Sequence, residues 1–156
     1  MHVAGVLAAS FAAVLLLSAC APDPAPSASP SATASPTPGV TATVEPVLIP
    51  EGTAAENLPV FTAVAESIWA TDDRGSGRAY VDALVGAGFD RAAMQVTQDQ
   101  STVGNPAESL QFAVRWGESE CLVGQVGPST GQVVTAVMPQ LAEGRCLVGT
   151  TRPIDW

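Results

Sequence analysis

Eight prolines within thirty residues decide how much of this chain can fold. The stretch APDPAPSASPSATASPTPGVTATVEPVLIP, residues 21–50, has proline at 22, 24, 26, 30, 36, 38, 46 and 50 among Ala, Ser and Thr. It holds almost no large apolar residue before Val47. Such a segment buries too little surface to offset the entropy of ordering it. Residues 20–50 are therefore expected to form a disordered or polyproline-like linker, about 90 Å long if extended at 3.1 Å per residue. Residues 51–156 remain for a single folded domain, near the lower size for an independent core.

Upstream, VAGVLAASFAAVLLL runs from Val3 to Leu17 without a charge. It is shorter than the roughly 20 residues that span a bilayer as a helix. It suits the apolar middle of a secretory signal. Leu17-Ser18-Ala19-Cys20 closes the run and resembles the bacterial lipobox, Leu-small-small-Cys. The resemblance implies a signal peptide over residues 1–19 and a diacylglycerol on the Cys20 thiol. Cleavage would then leave Cys20 first. The departure is the n-region, which offers His2 where Lys or Arg is usual. Two acyl chains hold a protein to a membrane without spanning it, since each buried methylene contributes about 0.8 kcal/mol. The expected place is the outer face of the cytoplasmic membrane or the cell surface, with the membrane as partner through Cys20.

The whole chain of 156 residues carries 15 acidic and 6 basic side chains, a formal charge of -9. All six basic residues are Arg, no Lys is present, and His2 is the only His. Residues 51–156 hold thirteen of the carboxylates and all six arginines, a charge of -7. Such a surface repels phosphate backbones, so no nucleic acid is expected, and an anionic polymer is a poor partner. An envelope protein or a neutral glycan is the partner class that remains.

Periodicity then places the elements. NLPVFTAVAESIWA sets Leu58, Phe61, Val64, Ala65, Ile68 and Trp69 at helical spacings. Asn57 is the expected cap, which leaves Pro59 in the first turn. Thr53 and Glu56 spell a capping box as the alternative, one that pushes Pro59 deeper. GRAYVDALVGAG reads as a second helix with Tyr80, Val81, Leu84 and Val85 inward and Gly88 just past its end. AAMQVTQ is a short strand. LQFAVRW alternates Leu110, Phe112, Val114 and Trp116 against Gln111, Ala113 and Arg115, a half-buried strand. GES turns the chain back, and ECLVGQV returns as its partner. QVVTAVMPQLAEG spaces Val133, Val134, Val137, Met138 and Leu141 as a short helix broken by Pro139, and RCLVGTT closes as a strand. The order α-α-β-β-β-α-β predicts an α+β fold. A small antiparallel sheet of about four strands would pack against two or three helices.

CLVG occurs twice, at Cys121–Gly124 and Cys146–Gly149. With Cys20 taken by lipid, an exported chain has one possible pairing, Cys121 to Cys146. Neighbouring strands could present the two strings side by side. A loop of that length is worth roughly 3–4 kcal/mol in the chain-entropy model. The spacing is not that of a redox CxxC, and no His or Lys is available to lower a thiol pKa.

Once residues 1–19 are removed, the chain has no His and no Lys. A Ser-His-Asp triad, a Cys-His pair, a Ser-Lys dyad and a His-ligated zinc site are then out of reach. Carboxylate chemistry survives, with Asp72-Asp73 and Glu118/Glu120 as the pairs, both in turns. Nothing has calcium-loop or phosphate-loop spacing, so no metal and no cofactor is expected. Trp69, Trp116, Trp156 and Tyr80 read most simply as core or core-edge residues. For a binding surface the candidates are Trp156 and the nearby Arg152, because a chain end tends to lie at the surface.

GRAYVDALVGAGFDRAAMQVT, SLQFAVRWGESECLVGQ and RCLVGTTRPIDW together resemble a domain family of unknown function found in secreted lipoproteins of actinobacteria. The likeness covers about residues 51–156 and is most specific in the closing block. It implies no catalytic residue. The expected function is a membrane-anchored lipoprotein with a small non-catalytic binding domain. The alternatives are a structural or accessory envelope lipoprotein and a carboxylate-dependent wall-glycan hydrolase. Cys20→Ala should abolish lipid labelling and leave an uncleaved precursor on a gel. A mutant that is cut and labelled as before would remove the lipobox reading.

Overall fold

The computed structural model describes residues 45–156. The expected signal peptide, Cys20 and the linker up to residue 44 lie outside the described residues. Among the described residues no helix is long and apolar enough to cross a membrane.

The first helix, α1 (Ala54–Trp69), starts at the capping box and not at Asn57. Thr53 Oγ1 accepts from the Glu56 N–H at 3.2 Å, and Glu56 Oε2 accepts from the Thr53 N–H at 2.8 Å. The Thr53 N–H and the Thr53 hydroxyl, which donates to Glu56 Oε2 at 2.8 Å, hold the Glu56 carboxyl below its ordinary value. Asn57 has a different task. Fully buried, it accepts from the Ile49 N–H at 2.8 Å and donates to the Ile49 carbonyl at 2.8 Å. It thus binds the incoming chain to α1, and Leu48 packs on the core. Ordered contacts therefore begin slightly ahead of residue 51. Tertiary burial of Ala54 and Asn57 outweighs the cost of Pro59 inside the helix.

A 3-10 turn (Asp72–Gly75) leads to α2 (Gly77–Gly86), capped by Ser76. Gly88, at φ 100°, lets Phe89 fold back, and the Phe89 N–H donates to the Leu84 carbonyl at 3.0 Å. The strands are β1 (Met94–Thr97), β2 (Leu110–Trp116), β3 (Glu120–Val126), β4 (Val134–Pro139) and β5 (Thr151–Arg152). They form one antiparallel sheet in the order β4-β3-β2-β1-β5. The α+β class and the antiparallel sheet agree with the expectation.

Two elements differ from it. Residues 134–139 make a strand where a helix was expected, because valines at 133, 134 and 137 are β-branched and β3 has an edge to satisfy. A strand still serves the apolar residues: Val137 joins the core, while Met138 lies on the opposite face. The second CLVG string is not a strand. Only Thr151–Arg152 pairs, with β1.

Both helices cover one face of the sheet. Phe61, Val81, Leu84, Val96, Phe112, Val114, Leu122 and Val126 are buried there, each such side chain worth roughly 1.5–3 kcal/mol. Phe112 sits at the middle, stacked on Tyr80 at 4.5 Å and tilted against Phe61 at 5.6 Å. Burial pushes the Tyr80 phenol up to about 12, against the Arg74 charge. The disulfide is on the other face. Cys121 of β3 bonds Cys146 in the loop after β4, with Cα atoms 5.7 Å apart. Ala113 and Leu147 pack beside it, and Gln95 Oε1 accepts from the Cys146 and Leu147 N–H groups.

The two CLVG glycines are not equivalent. A Cβ on Gly124 would lie 2.3 Å from the Phe112 ring, whereas one on Gly149 would find nothing nearer than Thr97 at 3.8 Å. Gly124→Ala should cost about 1–3 kcal/mol by overpacking and lower the melting temperature. Gly149→Ala should leave it nearly unchanged. Equal effects in a thermal melt would refute the packing role of Gly124.

Candidate functional site

Among the described residues, a largely apolar hollow lies where α1 ends. Its cavity of about 400 Å³ is walled by Trp69, Pro106, Ala107, Leu110, Val126 and Pro128, with Arg74 and Asp99 also lining it. The helix stripe carries Trp69 to this spot, and the strand alternation turns Leu110 and Val126 toward it. The 3-10 turn after α1 brings Arg74 back, with Cζ 6.0 Å from the Trp69 ring centre. Arg74 makes no salt bridge among the described residues. Trp69 is half-buried and thus offers part of its ring.

A second, more open cleft of about 460 Å³ lies near the other end of α1. Leu48, Phe89 and Trp116 line it together with two carboxylates, Glu51 and Asp90. Asp90 Oδ1 accepts from the Ala92 N–H at 3.0 Å, and the Trp116 indole N–H donates to the Gly52 carbonyl at 2.8 Å. The carboxylate pairs read from the sequence, Asp72-Asp73 and Glu118/Glu120, line neither cleft. Among the described residues no group of three or more His, Cys, Asp or Glu is placed to hold a metal ion.

Trp156 and Arg152 are committed to contacts within the domain. The Trp156 indole N–H donates to Asp82 Oδ1 at 3.0 Å, and its main-chain oxygen accepts from Arg91 at 2.6 Å. Two guanidinium groups lie over its ring, Arg152 at 5.2 Å and Arg78 at 5.5 Å. Arg152 donates to both Asp99 oxygens, at 3.1 and 3.0 Å. Asp99 Oδ1 also accepts from the Gly77 N–H at the start of α2, at 2.8 Å. The pair therefore closes the C-terminal segment onto α2. Through Asp99 this clasp borders the Trp69 cleft. Sequence reading missed the cleft because its walls come from separate segments around 69–75, 99–110 and 126–131.

With this geometry in place, the comparison with known families is informative. A family model described as a domain of unknown function (DUF6993) matches residues 65–150. The chain belongs to that family. Neither a curated protein nor a solved structure matches the chain. Every wall of the Trp69 cleft, from Trp69 to Gly131, falls inside the DUF6993 segment. Arg152, Trp156 and the Glu51 side of the second cleft fall outside it. The match stops before the closing RPIDW.

Asp82 reports on the clasp. Desolvation pushes its carboxyl up. The Trp156 and Arg78 hydrogen bonds and the charges of Arg78 and Arg91 outweigh that and hold it below the ordinary value. A carboxylate lowered in the folded state contributes stability above the unfolded value of about 3.9. That contribution disappears as the pH falls through the lower folded value. NMR titration should place the Asp82 midpoint below a free carboxylate, and Trp156→Phe, which removes the indole N–H, should raise it. An unchanged midpoint would mean that the indole does not support this carboxylate.

Proposed function

We propose that the domain is a non-catalytic binding module carried on a lipid-anchored stalk, and that its ligand site is the Trp69 cleft. The observation that carries the reading is an apolar hollow of about 400 Å³ with an aromatic wall and a guanidinium at its side. Sites for small ligands and side chains have this character: mostly apolar, concave, with few polar groups.

The partner class is an apolar or aromatic segment of an envelope protein, with a neutral glycan stacked on Trp69 as the other possibility. The charge of -7 over residues 51–156 disfavours an anionic polymer. A hydrolase reading has one observation in its favour, the presence of Glu51 and Asp90 in the Trp116 cleft.

Trp69→Ala should weaken capture of the partner by about thirtyfold, the loss of an aromatic anchor worth about 2 kcal/mol. A photo-crosslinking side chain at Ala107, on intact cells, is the readout. Trp156→Ala should retain the crosslink. The cleft is not the site if Trp69→Ala crosslinks as strongly as the unaltered chain. Turnover of purified wall glycan that is lost in Glu51→Gln or Asp90→Asn would replace binding by catalysis.

A further inference from the structure

The sheet ends on one side in β4, whose only paired neighbour is β3. Its six residues, VTAVMP, include no charge, and nothing else among the described residues pairs with its outer side. Exposed edges of this kind are usually blunted by lysines, bulges or a covering loop. This one has only a terminal proline. It also exposes two large apolar side chains, Val134 at 44% and Met138 at 48%.

The phase of the hydrogen bonds can be read along the strand. The Gln140 N–H donates to the Ser119 carbonyl at 2.8 Å, so Gln140 and Ser119 are a hydrogen-bonded pair. Antiparallel ladders alternate. Met138 with Cys121, Ala136 with Val123 and Val134 with Gln125 are therefore bonded pairs as well. The N–H and C=O groups of Thr135 and Val137, and the carbonyl of Pro139, point outward. Side chains alternate in the same way. Thr135 faces the helices, with its hydroxyl 2.7 Å from that of Thr62, and Met138 lies on the disulfide face beside Leu141 and Val148.

We propose that this edge is a homodimer interface, in which β4 pairs antiparallel with β4 of a second copy about a two-fold axis at Ala136. That register satisfies the outward groups of Thr135 and Val137 reciprocally, and it asks no N–H of Pro139. It sets each Val134 opposite Met138 of the other copy, so both exposed apolar side chains are covered. The small Ala136 occupies the crossing point. The two exposed apolar side chains stand at equal distances either side of Ala136, so a second copy covers both at once, as an isologous contact does. The absence of charge on β4 keeps the acidic surface from opposing close approach of the two edges. The two five-stranded sheets would join into one.

The full-length chain carries the test. Ala136→Cys should form a disulfide-linked species of twice the chain mass on a non-reducing gel, well above the unaltered chain treated alike, because the two thiols meet on the axis. Val134→Lys alone and Met138→Glu alone should each weaken the dimer about a hundredfold by light scattering. That is roughly tenfold for each of two symmetry-related lesions. The double variant should restore it by pairing Lys with Glu across the interface, a rescue that misfolding cannot imitate. An unaltered chain that stays monomeric at its highest soluble concentration would overturn the proposal. So would Ala136→Cys that crosslinks no more than the unaltered chain, or a double variant no better than the singles. An edge that instead accepts an extended segment of another protein would give those same overturning results.

Discussion

Phe112 is the side chain on which the rest of the packing depends. It projects from the second strand toward both helices, stacks on Tyr80 of α2 and tilts against Phe61 of α1. Phe61 then meets Phe89 edge-on at 6.0 Å, and Phe89 meets Trp116 in the same manner. One aromatic chain therefore links α1, α2 and the sheet. It has room only because Gly124 stands opposite on β3, where any Cβ would strike the ring. Offset and edge-on aromatic contacts add about 0.5–1.5 kcal/mol each beyond area burial. In a domain of this size such terms are a sizeable part of the net stability.

The two faces of the sheet solve different problems. The helix face supplies the apolar core and, at the far end of α1, the hollow that Trp69 walls. Among the described residues no helix covers the opposite face. There the loop after β4 lies against Ala113 and is fixed by the Cys121–Cys146 bond and by Gln95. There a covalent tie, in place of helix packing, holds the covering loop to the sheet. This division also explains why the edge at β4 is unpaired among the described residues: the covering loop sits over the face of the sheet and does not pair with its edge.

Arginine takes every cationic role in the folded part, and its planar head suits the task. Arg152 joins a carboxylate to an indole, Arg91 reaches both Asp82 and the Trp156 main chain, and Arg74 stands over Trp69. The clasp and the cleft meet at Asp99, which lines one and anchors the other. Tightening of the C-terminal segment is thus mechanically adjacent to the proposed site.

The sequence by itself determined the elements whose signal is local. LQFAVRW is a strand because alternation sets Leu110, Phe112, Val114 and Trp116 on one face; that Ala113 on the other face is buried as well was decided by the disulfide loop over it. The cysteine pairing followed from arithmetic. Tertiary structure decided what depended on neighbours. Asn57 and Thr53 are both good caps, and only the buried bond from Asn57 to Ile49 assigns each its place. The valines near 134–137 fit a helix or a strand equally well by spacing, and the open edge of β3 settled the matter. Identical CLVG strings became a strand and a loop, because the first pairs with strands on both sides while only Thr151–Arg152, after the second, pairs; Gly124 then faces a ring and Gly149 faces little. The Trp69 cleft was invisible for the same physical reason: a cavity belongs to surfaces brought together from distant segments, and no local pattern encodes their meeting.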